Sequence, residues 1–205
     1  MIEVFDFPQY SEEWWDARKG LVTASSAKVL TMKGRGGGES ETRKKLVIDT
    51  AAEIVSGRVA PSFSSHDMER GHEEEEENRN RYGYDNDVEP EIVGFIRNGR
   101  KGGSPDALIG SDGILECKSH KPTILIPMMQ ADMFPAEHVP QCQFLMWVCE
   151  REWCDLSAYS RGLPRFQKRI HRDEAYIKTL SDELNRFYEE VDEMVTWLKN
   201  YGVAA

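Results

Sequence analysis

The clearest pattern of apolar and polar positions lies near the C-terminus. From Asp173 to Tyr201, apolar side chains recur at Tyr176, Leu180, Leu184, Phe187, Val191, Met194 and Leu198, a spacing that predicts one long amphipathic helix. TRKKLVIDTAAEIVSG repeats that periodicity more weakly and predicts a helix ending at Gly57. Near the start, Ser11 followed by Glu12, Glu13 and aromatic residues predicts a capped helix that stops at Gly20, and Thr23 would cap a second over TASSAKVLTM. MKGRGGGESETR is read as a surface loop, Pro61 to Ser65 as a linker, and HDMERGHEEEEENRNRYG as a charged helix. VEPEIVGFIRN and ALIGSDGILECKS predict strands, the second folded back at GSDG. A Pro-punctuated loop follows, then a buried helix over HVPQCQFLMWVCE, and strands at WCDLSAYS and RFQKRIHR. That order predicts an α/β fold with a small mixed central sheet flanked by helices, in one domain over residues 1–205.

Composition adds one complication. The 205 residues carry 26 basic and 36 acidic side chains, a net charge of −10, which argues against a simple phosphate binder. Basic residues nevertheless gather at TRKK, RNGRK and RGLPRFQKRIHR, so a local basic groove stays open. Cys117, Cys142, Cys149 and Cys154 match neither CxxC nor an iron–sulfur spacing, and reduced thiols are expected. No apolar run approaches membrane-span length and the N-terminus lacks signal-peptide features, so the expected location is cytoplasmic.

The chemistry concentrates in GGSPDALIGSDGILECKS. Strand side chains alternate faces, so Glu116 and Lys118 share one face of ILECKS while Leu115 and Cys117 share the other. A hairpin through ALIGSDGI brings Asp106 to the same place, with Asp112 as a turn residue. Two carboxylates close together repel unless a cation neutralises them, and Mg²⁺ suits oxygen ligands beside phosphate. Lys118 would then serve the attacking water. A surface hairpin with a Glu–Lys pair remains the plain alternative. Among the five glutamates of residues 73–77, at most two can face inward, and periodicity alone does not choose them.

Taken in order, WWDARKGLVTASSAKVL, RGHEEEEENR, GGSPDALIGSDGILECKS and HVPQCQFLMWV resemble the lambda-exonuclease (YqaJ-like) viral recombinase family, over roughly residues 10 to 150. That family belongs to the restriction-endonuclease-like PD-(D/E)xK superfamily, and the resemblance implies the same core. It implies that Asp106 and Glu116 hold two Mg²⁺ ions, with the backbone carbonyl of Cys117 and, through water, Glu75; Mn²⁺ is a possible substitute. Glu75 is selected because it falls four residues after Gly71. Lys118 and Gln141 would serve the attacking water, with His138 and Gln143 as weaker candidates. Arg18, Ser25 and Ser104 match positions that bind a terminal 5′ phosphate.

The implied activity is 5′-to-3′ digestion of one strand of linear double-stranded DNA, leaving 3′ overhangs for recombination in a phage or prophage setting. The implied assembly is a homotrimeric ring, and the implied partner a single-strand annealing protein. Two departures stand out: SPDA where the family often has SPDG, and ECKSH where ExKCP is common. No clear counterpart exists for an arginine that follows the active-site strand in the lambda enzyme; Lys121 is nearby. Two other readings stay open, a RecB-like or restriction-type endonuclease and a catalytically silent DNA-binding or scaffold protein of the same fold.

Overall fold

The chain begins with a short strand, β1 (Ile2–Phe5), and a helix, α1 (Glu12–Arg18), whose first turn is capped where Ser11 Oγ accepts from Trp14 N at 3.2 Å. The single helix expected after Thr23 is instead β2 (Val22–Thr23), a 3₁₀ turn and the short α2 (Ala27–Leu30). Ser26 is the local cause. Its hydroxyl donates to the Thr23 carbonyl at 2.9 Å and accepts from the Thr23 amide at 3.2 Å, so it competes with regular helix bonding. Next comes α3 (Glu41–Ser56), which ends as expected at Gly57 in the left-handed region, and α4 (His66–Asn86). The computed structural model describes residues 1–59 and 66–202, without the side chains of 66–73. The expected linker over Pro61–Ser65 lies outside the described residues.

Four strands follow: β3 (Phe95–Asn98), β4 (Lys101–Gly103), β5 (Ala107–Ile109) and β6 (Gly113–Ser119). The Pro-punctuated loop expected next is a helix, α5 (Pro122–Ala131). Pro122 sits in its first turn, where no amide hydrogen is needed, and Pro127 lies on its exposed side, so the bond it cannot make is left to water. After it come α6 (Val139–Cys149), β7 (Trp153–Tyr159), β8 (Phe166–His171) and α7 (Glu174–Asn200).

One mixed sheet was expected and two are found, in orders β1-β3-β4-β2 and β5-β6-β7-β8. Each contains one parallel pair, β2 with β4 and β6 with β7. The β6-to-β7 pairing needs a crossover, which α5 and α6 supply. β4 escapes a propensity reading because it is Lys-Gly-Gly. The glycines are there for packing: a Cβ on Gly102 would lie 2.3 Å from the Phe95 ring, and one on Gly103 2.7 Å from Leu145.

Helix α6 is buried on nearly every side. Phe144, Leu145, Met146 and Val148 pack with Val22 and Ile96 of the first sheet, Ile114 and Cys154 of the second, and Leu180, Leu184, Phe187 and Val191 of α7. Ile177 and Tyr188 join the buried face of α7 beyond the expected stripe, whereas Tyr176, Met194 and Leu198 are only partly covered. Strand β6 is therefore sandwiched. Ile114, Glu116 and Lys118 face α6, while Leu115 and Cys117 pack with Tyr82 of α4, Ala107 and Ile109.

The basic clusters are largely tied to acids rather than gathered into a groove. Arg43 pairs with Glu190, Lys45 with Asp49, Arg100 with Asp192, Lys168 with Asp132 and Arg169 with Asp155. All four cysteines are buried free thiols. Among the described residues, no helix is long and apolar enough to cross a membrane.

Candidate active site

The hairpin of β5 and β6 does what its alternation requires. Ala107 pairs with Leu115 across the antiparallel ladder, so Asp106, one residue before β5, sits beside the Glu116–Lys118 segment. Asp106 Oδ2 accepts from the Cys117 amide at 2.5 Å, which fixes the carboxylate against β6. Glu116 is buried, and its Oε1 accepts from Lys118 Nζ at 2.5 Å and from the Gln141 side-chain amide. Its other oxygen, Oε2, is shut away from solvent without a hydrogen-bond partner. Asp112 is exposed at the turn, and its carbonyl accepts from the Glu152 and Trp153 amides, so it takes no part.

These groups line a cleft of about 600 Å³. Helix α4 contributes Glu75, which Arg79 holds through an ion pair of 3.0 Å; the same guanidinium nitrogen lies 3.5 Å from the Asp106 carbonyl. Glu74, one position earlier, is buried and accepts from the Ser119 hydroxyl. Trp14, Arg18, Thr23, Ser25 and Ser104 line the same cleft. The Arg18 guanidinium lies 4.0 Å from the centre of the Trp14 ring and 3.4 Å from Thr23 Oγ1, which in turn is 3.2 Å from Ser25 Oγ. No carboxylate pairs with Arg18 among the described residues. Ser104 Oγ donates to the Gly94 carbonyl at 2.7 Å and accepts from the Trp14 indole at 2.9 Å.

The electrostatics follow from this crowding. Burial, then Glu116, then Glu75 push the Asp106 carboxyl well above the ordinary carboxylate range. Burial works against the Lys118 ammonium, but Glu116 and Asp106 more than offset it, and the group stays charged. Burial draws Arg18 down to about 10, still protonated at neutral pH. Burial and the neighbouring carboxylates push the Cys117 thiol well up, so it is no nucleophile.

A divalent oxygen-seeking cation fits this donor set. An orphaned buried carboxylate oxygen, and a carboxyl pushed upward by burial and by two neighbouring carboxylates, both favour added positive charge. Among the described residues, no three His, Cys, Asp or Glu side chains are already arranged as a closed ligand set.

Of the sequence-predicted residues, Asp106, Glu116, Cys117, Lys118, Glu75, Gln141, Arg18, Ser25 and Ser104 all line the cleft. The two weaker candidates do not. Gln143 is buried, donates to the His171 carbonyl at 2.8 Å and accepts from the Asp173 amide at 2.9 Å, joining the ends of β8 and α7. His138 packs against His120 at a ring separation of 6.0 Å. Sequence reasoning missed Tyr10, Thr23 and Arg79. Arg79 had a signal, an acid–base pair spaced four apart on a helix; Thr23 was read only as a cap.

Comparison with known proteins agrees with this geometry. Residues 13–152 match the YqaJ-like viral recombinase domain. The chain belongs to that family. Its fold matches an alkaline exonuclease, LHK-Exo, from Laribacter hongkongensis, with a TM-score of 0.83 at 28% identity, covering 93% of this chain and 97% of the other. LHK-Exo in complex with dAMP matches with a TM-score of 0.84 at 29% identity over the same shares. A phage-related exonuclease from Haemophilus somnus shares the fold, with a TM-score of 0.69 at 15% identity over 87% of this chain and 96% of that one. No curated protein sequence matches the chain. Family membership settles the class of fold expected from the motifs, a nuclease-like α/β core.

Proposed function

We propose that the chain is a Mg²⁺-dependent DNA exonuclease that digests one strand of linear duplex from its 5′ end. The observation that carries this reading is the shared cleft: crowded carboxylates, one with a buried oxygen that has no hydrogen-bond partner, and an arginine that among the described residues pairs with no carboxylate. The likeness to an alkaline exonuclease, one structure of which holds dAMP, supports it. Bound magnesium (or Mn²⁺) would supply the positive charge that stabilises the attacking and leaving oxygens of an in-line displacement. Asp106 and Glu116 would hold it, with the Cys117 carbonyl alongside and Glu75 acting through water. Gln141 fixes Glu116, and Lys118 hydrogen-bonds the attacking water and draws its charge forward. Arg18, with Ser25 and Ser104, would receive the terminal 5′ phosphate and thereby set the distance to the bond that is cut.

A 3′ overhang is the product of that direction, and a single-strand annealing protein is its consumer. Assembly as a homotrimeric ring around the duplex belongs to the same reading. The test is incubation with Mg²⁺ and either linear or closed-circular DNA. Linear duplex should be degraded to mononucleotides and closed circles left intact; cutting of closed circles would instead favour the endonuclease reading.

A further inference from the structure

One wall of the cleft contains a residue that its backbone disfavours. Pro8 to Ser11 form a turn closed by the Ser11 amide donating to the Pro8 carbonyl at 3.2 Å. Its third residue, Tyr10, has φ of 69°, the sign a type II turn needs there and one normally supplied by Gly or Asn. The other non-glycine residues with positive φ are Asp87, Asp132 and Glu150, which follow the ends of helices, where a left-handed cap is routine. Tyr10 has no such excuse. It is 45% exposed, and its ring rests on Trp14 at 5.0 Å and Trp15 at 6.2 Å.

The position of the ring gives the strain a use. Tyr10 lines the cleft together with Arg18, Glu75, Asp106 and Lys118, and its hydroxyl feels the charge of all four. If Arg18 holds the terminal 5′ phosphate and Asp106 marks the scissile one, the terminal nucleoside lies in the cleft that Tyr10 lines. We infer that Tyr10 is the stacking platform for the nucleobase of the terminal nucleotide, with the two tryptophans as its backing. The inference rests on the exonuclease reading above. Strain at a ligand-contacting residue is retained where the contact uses it, and an aromatic face accepts any base, which an exonuclease without sequence preference requires.

The test is a cycle between the ring and the base. Rates with Mg²⁺ are measured on duplexes ending in a 5′-phosphorylated normal nucleotide or a 5′-phosphorylated abasic residue, for the wild type, Y10F, Y10A and Y10G. The wild type and Y10F should lose on the order of tenfold in kcat/KM on the abasic end, the range of one aromatic–base stack. Y10A and Y10G should be slow on both ends alike, near the wild-type rate on the abasic end. Y10G keeps the test sharp if Y10A misfolds, because glycine is what this φ favours, and Y10G should melt no lower than wild type. Equal wild-type rates on both ends, or a discrimination that survives in Y10G, would overturn the assignment while leaving the nuclease reading intact. A wild type that degrades neither duplex would overturn both.

Discussion

Two regions of this molecule are built from the same parts and differ in how those parts meet. On β7, Asp155 is fully buried and accepts from Tyr82, Gln167 and both the Nε and Nη2 of Arg169, at 2.7 to 3.1 Å; Arg169 also lies 3.5 Å over the Trp153 ring. In the cleft, Asp106 accepts from one backbone amide and faces two other carboxylates, while Arg18 lies 4.0 Å over the Trp14 ring and pairs with no acid among the described residues. Each region holds a sequestered aspartate and an arginine stacked on tryptophan. In the first, the charges are joined and the site is finished. In the second, they line one cavity without pairing with each other, and Glu116 beside them keeps one buried oxygen unpartnered. A satisfied buried charge rigidifies, whereas an unsatisfied one is a standing demand for a ligand.

The largest expected effect breaks the cleft at its carboxylates. D106N should lower nuclease activity by roughly 10³-fold or more, read as nucleotide release from linear duplex. The same variant should melt higher than wild type in EDTA. A carboxyl whose pKa rises on folding is fully compatible with the fold only below its unfolded value near 4, and its ionisation costs stability as pH climbs toward the raised folded value. The melting advantage of D106N should therefore widen with rising pH over that window, and Mg²⁺ should stabilise wild type but not the variant. An advantage that shrinks with pH would mean Asp106 is not held protonated.

Breaking the finished site should give the opposite profile. D155A leaves the Tyr82 hydroxyl, Gln167 and Arg169 without their shared acceptor, at a cost of about 3 kcal/mol in urea denaturation, reduced from a fully buried pair because Arg169 is partly exposed. Its melting temperature should fall equally with and without Mg²⁺. If D155A lost metal response instead, the division between the two regions would fail.

The smallest effect tests Arg18. R18A should lower the preference for a phosphorylated over a hydroxyl 5′ end by about 10- to 100-fold, the range for a lost charge-assisted hydrogen bond, with kcat on the hydroxyl end little changed. Loss of rate on both ends alike would make Arg18 a support for Trp14 rather than a phosphate ligand.

Much of this arrangement was legible residue by residue. Alternation in ILECKS gave Glu116 and Lys118 a common face, and the GSDG turn returned Asp106 to it, because a strand's period of two and a hairpin's closure are local properties. The family resemblance, through the GxxxE match from Gly71, implied Glu75, and the cleft does contain it. What was misjudged depended on neighbours distant in sequence. Strand β4 is Lys-Gly-Gly and becomes a strand only because Phe95 and Leu145 need the space that two missing Cβ atoms leave. Residues 122–131, divided by prolines, fold as a helix because Leu125 and Met128 find a buried apolar surface alongside Ala158 and Phe166.

The sequence by itself determined the ingredients: the hairpin that gathers Asp106, Glu116 and Lys118, the long apolar face of α7, and the motif order that marks the family. The first two follow from periodicity and turn chemistry, which act over a few residues, and the third from resemblance along residues 13–152. The tertiary structure alone decided which charges would be joined. It tied much of the basic clusters to acids, gave Asp155 its arginine, left Arg18 without a carboxylate partner among the described residues, and put a strained Tyr10 in the same cleft as Arg18 and the carboxylates. Charge pairing is a matter of distance and burial, and both are fixed only when remote segments pack.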